Sequence, residues 1–169
     1  MLVAAAAVIP MMSGLAACGS STATPPPLKS ETSLRVRALA ADHERLATPL
    51  NAQADRFVDG MNRLGSNTVP PQVAALSNLF SLAIQRFDAG LRRLSFPGSL
   101  RSDVATLLRS DEALAGDLRA QTVVASSSFG EWLHTLDVDK TANDDAVRKI
   151  HVDLGLPPAR IPTAVPRNA

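Results

Sequence analysis

The sequence predicts an all-α protein folded as an antiparallel, up-and-down four-helix bundle. Aromatic residues make up only 4% of the chain and tyrosine is absent, whereas Ala, Leu and Arg, which favour helices over strands, are abundant. Four segments also repeat apolar residues at helical spacing. Short turns join them, and short connections make consecutive helices antiparallel.

The first predicted helix runs from Ser33 to Leu64, and Pro49 interrupts it. Its apolar stripe comprises Leu39, Leu46, Leu50, Phe57, Met61 and Leu64. An interior proline removes one backbone hydrogen bond and crowds the preceding turn. Either one long helix is kinked at Pro49, which we favour, or Thr48 caps a second helix that has Pro49 at its first position.

The second predicted helix is the most apolar, and we expect it to be well buried. The turn signal Gly65-Ser66-Asn67-Thr68 precedes it, Pro70-Pro71 suits its first turn, and Phe96-Pro97-Gly98 ends it. Its stripe comprises Val73, Leu76, Leu79, Phe80, Ala83, Ile84, Phe87, Leu91 and Leu94.

The third predicted helix starts near Ser99 and ends before the weak break Ser126-Ser127-Ser128. The spacing of its apolar residues again keeps one face apolar. Its stripe comprises Leu100, Val104, Leu107, Leu108, Leu114, Leu118 and Thr122.

The fourth predicted helix carries Phe129, Trp132, Leu133, Leu136, Val147, Ile150 and Leu154. Lys140 and Asn143 fall where its apolar stripe should continue. The helix therefore has a polar layer there, or it breaks near Asp137 to Asp139. Gly155 is a C-terminal stop signal, and Pro157-Pro158 follows it.

The N-terminus has the features of a secretory signal. Leu2 to Met12 is an uncharged apolar run, too short for the roughly 20 residues that span a bilayer but suited to the apolar core of a signal peptide. The chain has a single cysteine, Cys18. A secreted protein with one cysteine cannot form an intrachain disulfide, so the unpaired thiol needs another explanation.

The segment Leu15-Ala16-Ala17-Cys18 resembles the lipobox of bacterial lipoproteins. The resemblance implies a signal peptide over 1–17, removed before Cys18, and a diacylglycerol on the Cys18 sulfur, with further acylation such as palmitate on the new amine. Two or three acyl chains exceed the marginal anchoring that one chain provides. The implied location is the extracytoplasmic face of the cell membrane.

The resemblance has one departure. The family carries Lys or Arg ahead of the apolar run, where this chain has only Met1; a start placed too late would explain this, and we expect a longer natural precursor. The alternative is that the run is a buried apolar helix that happens to end in cysteine.

Residues 18–32 have the composition of a lipidated cysteine with a flexible Pro-rich tether. Such a tether holds a domain on the order of 40 Å from the lipid. We expect the helical domain to occupy 33–156 and a disordered tail to occupy 157–169.

The whole chain resembles small helical lipoproteins predicted in actinobacteria. The resemblance rests on the lipobox, the Ala and Arg bias, the helical pattern and the closing Asp153-Leu154-Gly155-Leu156-Pro157-Pro158. It implies a fold and a compartment and supplies no catalytic residues.

The sequence predicts no catalytic, cofactor-binding or metal-binding residues. His43, His134 and His151 lack the spacing that puts two ligands on one helical face, so we expect surface histidines. The acidic stretch from Asp137 to Asp145 partly matches the pattern of a calcium-binding loop. Ala142 and Arg148, however, occupy the positions where that loop requires Gly and Glu.

A polar residue and a group of aromatic residues are candidates for contacts between helices or with a ligand. Asp111 lies close to the apolar stripe of the third helix, and we expect it to make a structural polar contact, for example with an Arg on a neighbouring helix. Trp132, with Phe129 and Phe80, could line a groove, but aromatics at helical spacing are more often core.

Two functional hypotheses remain. The first is a non-enzymatic envelope protein that binds another envelope protein or a lipid-like ligand. The second is an envelope enzyme or metal-binding bundle, which needs Asp111, His134 and 137–145 to converge. The net charge of +1 without a basic cluster excludes a typical nucleic-acid binder.

Overall fold

The computed structural model describes residues 29–64, 70–121 and 128–160. These ranges contain four α-helices and one short 3₁₀ helix and no strand, which confirms the all-α four-helix prediction. The helices are α1 (Lys29–Leu64), α2 (Pro70–Leu91), α3 (Arg101–Ala120) and α4 (Phe129–Leu154), and the 3₁₀ helix Gly98–Leu100 leads into α3. The predicted turn at Gly65–Thr68 lies outside the described residues. So do Thr122 of the third predicted stripe and Ser126 and Ser127 of the weak break after it.

Consecutive helices pack against each other along their lengths, whereas α1 and α4 touch much less. The register of α1 on α2 shows that they run in opposite directions. Gly60 of α1 approaches Leu76 of α2, and Gly90 of α2 approaches Leu46 of α1. The two approaches lie the same number of residues apart on both helices, so one antiparallel register produces both.

Helix α1 is continuous through Pro49, which confirms one long helix and excludes the alternative of two. The Thr48 hydroxyl does not cap a new helix. It donates to the Glu44 carbonyl oxygen at 2.8 Å, as a threonine does inside a helix. The helix begins at Lys29, within the segment expected to be tether.

Helix α4 is continuous through Asp137–Asp139, so of the two alternatives for its middle the break is excluded and the polar layer is confirmed. The helix ends at Gly155, as the sequence predicts, and Gly155 adopts a left-handed φ of 65°. Its N–H donates to the Val152 carbonyl at 3.1 Å, and the Leu156 N–H donates to the His151 carbonyl at 2.8 Å. This is a Schellman motif, and Leu156 packs on the core beside it.

The core consists of two apolar clusters at opposite ends of the bundle. Cluster A contains Ala40, Phe87, Leu91, Phe96, Leu100, Val104, Leu107, Ala146, Ile150 and Leu154. Cluster B contains Phe57, Met61, Val73, Ile84, Leu114, Ala115, Leu118, Trp132 and Leu136. Leu50 of α1 packs against both clusters.

The stripe predicted for the second helix is wrong at Leu79, which is 55% exposed. Ser77 and Ser81 are buried on α2 instead. Their small side chains allow α2 to lie close to its two neighbours, and the Ser81 hydroxyl donates to the Ala115 carbonyl of α3 at 3.2 Å. Trp132 is buried in cluster B as expected, and its Nε1 donates to the Asp117 carbonyl oxygen at 2.8 Å.

Within the part of the chain that the structure describes, no helix is long and apolar enough to cross a membrane.

We expect the Gly90→Ala variant to gain less stability than Gly116→Ala. Alanine normally stabilises a helix interior by about 1 kcal/mol over glycine, but a Cβ at position 90 would overlap the Leu46 side chain. The closest atoms are the methyl ends of a flexible side chain, which must shift to make room, so this overlap should offset part of that gain. Urea unfolding measures it.

Gly116→Ala is the matched control, because a Cβ there meets nothing within 4 Å. That variant should gain about 1 kcal/mol. Combining Gly90→Ala with Leu46→Ala removes the overlap, so the double variant should cost less than the two single changes together. Equal gains from Gly90→Ala and Gly116→Ala would contradict the close approach of α1 and α2.

Candidate functional site

A polar layer separates the two apolar clusters. Asp88 on α2 is 5% exposed and Asp111 on α3 is 2% exposed. The Asn143 side chain on α4 donates from Nδ2 to Asp111 Oδ1 at 2.6 Å, and the same nitrogen lies 3.2 Å from the Ser110 hydroxyl. Along α3 the layer follows cluster A and precedes cluster B, and along α4 the order is reversed.

The buried carboxyls of Asp88 and Asp111 interact, and the pKa of each is raised. Burial, then the hydrogen bond with Asp88 and its negative charge, raise the pKa of Asp111 to about 8, although Asn143 and Arg92 oppose the shift. Burial also raises the pKa of Asp88, against the hydrogen bond from Asp111 and the Arg92 guanidinium 3.6 Å away. Two like charges this close in a low dielectric do not both ionise.

Two oxygens of this pair lack other partners. Asp111 Oδ1 already accepts from Asn143. Asp111 Oδ2 and Asp88 Oδ1 are buried, and neither accepts a hydrogen bond from an N–H or hydroxyl group. The raised pKa of Asp111 keeps a proton on this carboxyl near neutral pH, which suits its contact with Asp88.

A second carboxyl contact links α3 to α4. Burial, then the hydrogen bond with Asp139 and its negative charge, raise the pKa of Asp117 to about 6. Both residues are half-buried. This pair lies nearer the surface than Asp88 and Asp111.

The prediction of three surface histidines is wrong for His43, which is 1% exposed. Its ring is nearly perpendicular to those of His151 and Phe87, with ring centroids 5.4 and 5.6 Å apart. Burial first, and then the charge of His151, lower the pKa of His43 to about 4. His151 is half-buried, and its Nδ1 lies 2.7 Å from the Pro157 carbonyl oxygen. His134 is exposed as predicted.

The stretch 137–145 is helical within α4 and forms no ion-binding loop. Its charged side chains pair along the helix, with Lys140 Nζ 2.6 Å from Asp144 Oδ2 and Arg148 Nη1 2.6 Å from Asp145 Oδ1. Of the groups that the enzyme hypothesis needed together, Asp111 meets Asn143, whereas His134 is exposed.

Asp111 makes the structural polar contact expected of it, but with different partners. Asn143 and Asp88 contact it, and the only arginine that acts on its pKa, Arg92, acts through charge. In the described ranges, no three His, Cys, Asp or Glu side chains are grouped so that they could hold a metal ion. Cys18, the predicted lipidation site, lies outside those ranges, as does the signal peptide 1–17.

The C-terminal segment is described as far as residue 160. Arg160 Nη2 lies 3.5 Å from Asp55 Oδ2 on α1, so residues 156–160 pass from the end of α4 to α1. Residues 161–169 lie outside the described ranges, and their disorder stays a prediction.

The described surface is not uniformly polar. Its exposed large apolar side chains lie on three helices, namely Leu34, Leu79, Leu82, Val138 and Val152. Leu79 and Leu82 lie one turn apart on α2.

No protein-family model matches this chain, and neither a curated protein nor a solved structure matches it.

We expect the free energy of unfolding to fall as the pH rises from 6.5 to 8. The folded protein keeps the Asp111 proton up to about pH 8, whereas the unfolded chain has already released it. A group with a raised folded pKa contributes stability at low pH that is lost on approaching that pKa. The loss should reach about 1–2 kcal/mol over this range, measured by urea unfolding.

The Asp111→Asn variant should flatten this pH dependence, because the amide keeps the shape and loses the titration. Asp145→Asn is the matched control, since Asp145 is exposed and pairs only with Arg148. A slope unchanged in Asp111→Asn would show that Asp111 does not hold the proton.

Proposed function

We propose that the protein is an envelope lipoprotein, anchored through lipid on Cys18 to the extracytoplasmic face of the cell membrane, and that its helical bundle is a non-enzymatic binding or interaction module. The observation that carries the anchor is the order of the N-terminal features. An apolar run is followed by Leu15-Ala16-Ala17-Cys18 and then by a small-residue and Pro-rich segment.

The start of α1 limits the distance of the bundle from such an anchor. Helix α1 begins at Lys29, eleven residues after Cys18, and a fully extended chain of that length spans at most about 40 Å. Any partner of the bundle would therefore belong to the envelope, as a protein or a lipid-like ligand close to the membrane.

The burial of the carboxyl pair supports a non-enzymatic role. General acid–base catalysis requires the acid to reach the substrate within hydrogen-bonding distance, and Asp88 and Asp111 are enclosed between two apolar clusters. Together with Asn143, the pair instead connects three helices, which is a structural role.

The alternative is an envelope enzyme or metal-binding bundle. One observation favours it, namely that Asp111 holds a proton near neutral pH, as catalytic acids do. A substrate could reach this proton only if α2, α3 and α4 separated.

Lipidation is tested by intact-mass analysis of the membrane fraction of a bacterial host that processes lipoproteins. We expect the native chain to begin at Cys18 and to carry the added mass of two or three acyl chains. Cys18→Ser should lose that mass, because it removes the only thiol in the chain.

Ser20→Cys placed in the Cys18→Ser background is the matched control, since it restores one thiol two residues beyond the cleavage position. This double variant should remain unlipidated. An uncleaved, unacylated native chain in the soluble fraction would refute the anchor, and the apolar run would then be a helix of another kind.

A further inference from the structure

His43 and His151 meet where α1 and α4 come together. These two helices have the least contact of the neighbouring pairs in the bundle, yet the ring centroids of the two histidines lie only 5.4 Å apart. Phe87 of α2 also packs against the His43 ring. The pair therefore lies at a seam of the bundle, with an apolar wall behind it.

The polar atoms of His43 are unsatisfied. Both ring nitrogens are buried and neither has a hydrogen-bond partner in the protein, although the residue is only 1% exposed. Buried polar groups are nearly always hydrogen-bonded or bound to a ligand. The pKa of His43, lowered by burial and by the charge of His151, leaves its imidazole neutral at pH 7, which is the form that binds metals.

The tautomer of His151 suits a metal ligand. A carbonyl oxygen only accepts, so the contact of 2.7 Å between Nδ1 and the Pro157 carbonyl places the proton of the neutral ring on Nδ1. The lone pair is then on Nε2. A metal-binding histidine commonly donates its second ring N–H to a backbone carbonyl in this manner.

The separation of the rings fits two ligands of one ion. Metal–nitrogen bonds of about 2.0–2.1 Å and a tetrahedral angle at the metal place two imidazole centroids roughly 5 Å apart. The observed centroids are 5.4 Å apart, and the ring planes are 86° to each other. His151 is half-buried, so the site is reached from the surface beside it.

We propose that His43 and His151 together bind one divalent first-row transition-metal ion, with water completing the coordination. The site has two protein ligands, because the described residues bring no third His, Cys, Asp or Glu into a metal-binding group. Imidazole suits copper, nickel and zinc, and Cu²⁺ should bind most tightly because affinity for nitrogen ligands peaks at copper. The proposal does not depend on the lipid anchor.

The test is a titration of the full chain with Cu²⁺ alone at pH 7.5. The chain carries no purification tag and bears Cys18→Ser, which removes the only competing thiol. We expect one equivalent of Cu²⁺ by calorimetry and an electron paramagnetic resonance spectrum with two imidazole nitrogens. Zn²⁺ should compete for the same site.

His43→Phe and His151→Phe should each weaken Cu²⁺ binding by more than the roughly 10–100-fold that the loss of an outer-shell partner costs. His134→Phe is the matched control, because His134 is an exposed histidine on the same helix as His151. Circular dichroism verifies that each variant is folded, and His151→Phe serves as the decisive variant should His43→Phe fail to fold.

Two results would overturn the proposal. One is a loss of affinity in His134→Phe as large as that in His151→Phe, which would mean general surface binding. The other is unchanged affinity in a folded His151→Phe protein.

Discussion

The polar contacts that join Asn143 to Asp111 and Asp111 to Asp88 constrain the arrangement of three helices at once. Asn143 reaches Asp111 only if α4 has one register on α3, and Asp111 reaches Asp88 only if α3 has one register on α2. A slip along either interface would leave a buried carboxyl without its partner, which costs far more than the loss of an apolar contact. Apolar packing in the two clusters supplies most of the stabilisation, and the polar layer selects one alignment among the many that apolar stripes allow.

Helix α1 takes no part in these polar contacts and is positioned by packing on α2. The approaches of Gly60 to Leu76 and of Gly90 to Leu46 occur at opposite ends of one antiparallel register, so they align α1 along most of its length. Contact with α4 is slight by comparison, and two polar contacts bridge that side of the bundle. One is the pairing of the His43 and His151 rings, and the other is the contact of Arg160 with Asp55.

Much of the fold was predictable from the sequence, because helical periodicity and end signals act locally. The apolar stripes of α1, α3 and α4 and the stop at Gly155 are examples, and so is the polar interruption at Asn143. The errors have a common cause. Leu79 is exposed because the buried face of α2 carries serines instead. A prediction based on hydrophobicity alone places serine on the solvent-facing side of a helix.

The candidate sites were less predictable, because each joins residues from different helices. Asp111 attracted notice through its place beside an apolar stripe, but Asp88 gave no such signal, and their interaction depends on their separation in space. His43 and His151 are more than a hundred residues apart in the chain, so spacing along one helix could not reveal them. Position on the inward face of α1 was the available signal, since His43 lies between Ala40 and Leu46, three residues from each.

Access distinguishes the two unusual polar features of the bundle. The carboxyl pair is enclosed by cluster A and cluster B. Its proton already takes part in the contact between α2 and α3, so the pair has a structural role. The histidine pair lies at the thin seam between α1 and α4, with one half-buried ring and two ring nitrogens that the fold leaves without partners. A ligand that exchanges with solvent needs both an approach and an unsatisfied group, and of these two features only the seam between α1 and α4 offers both.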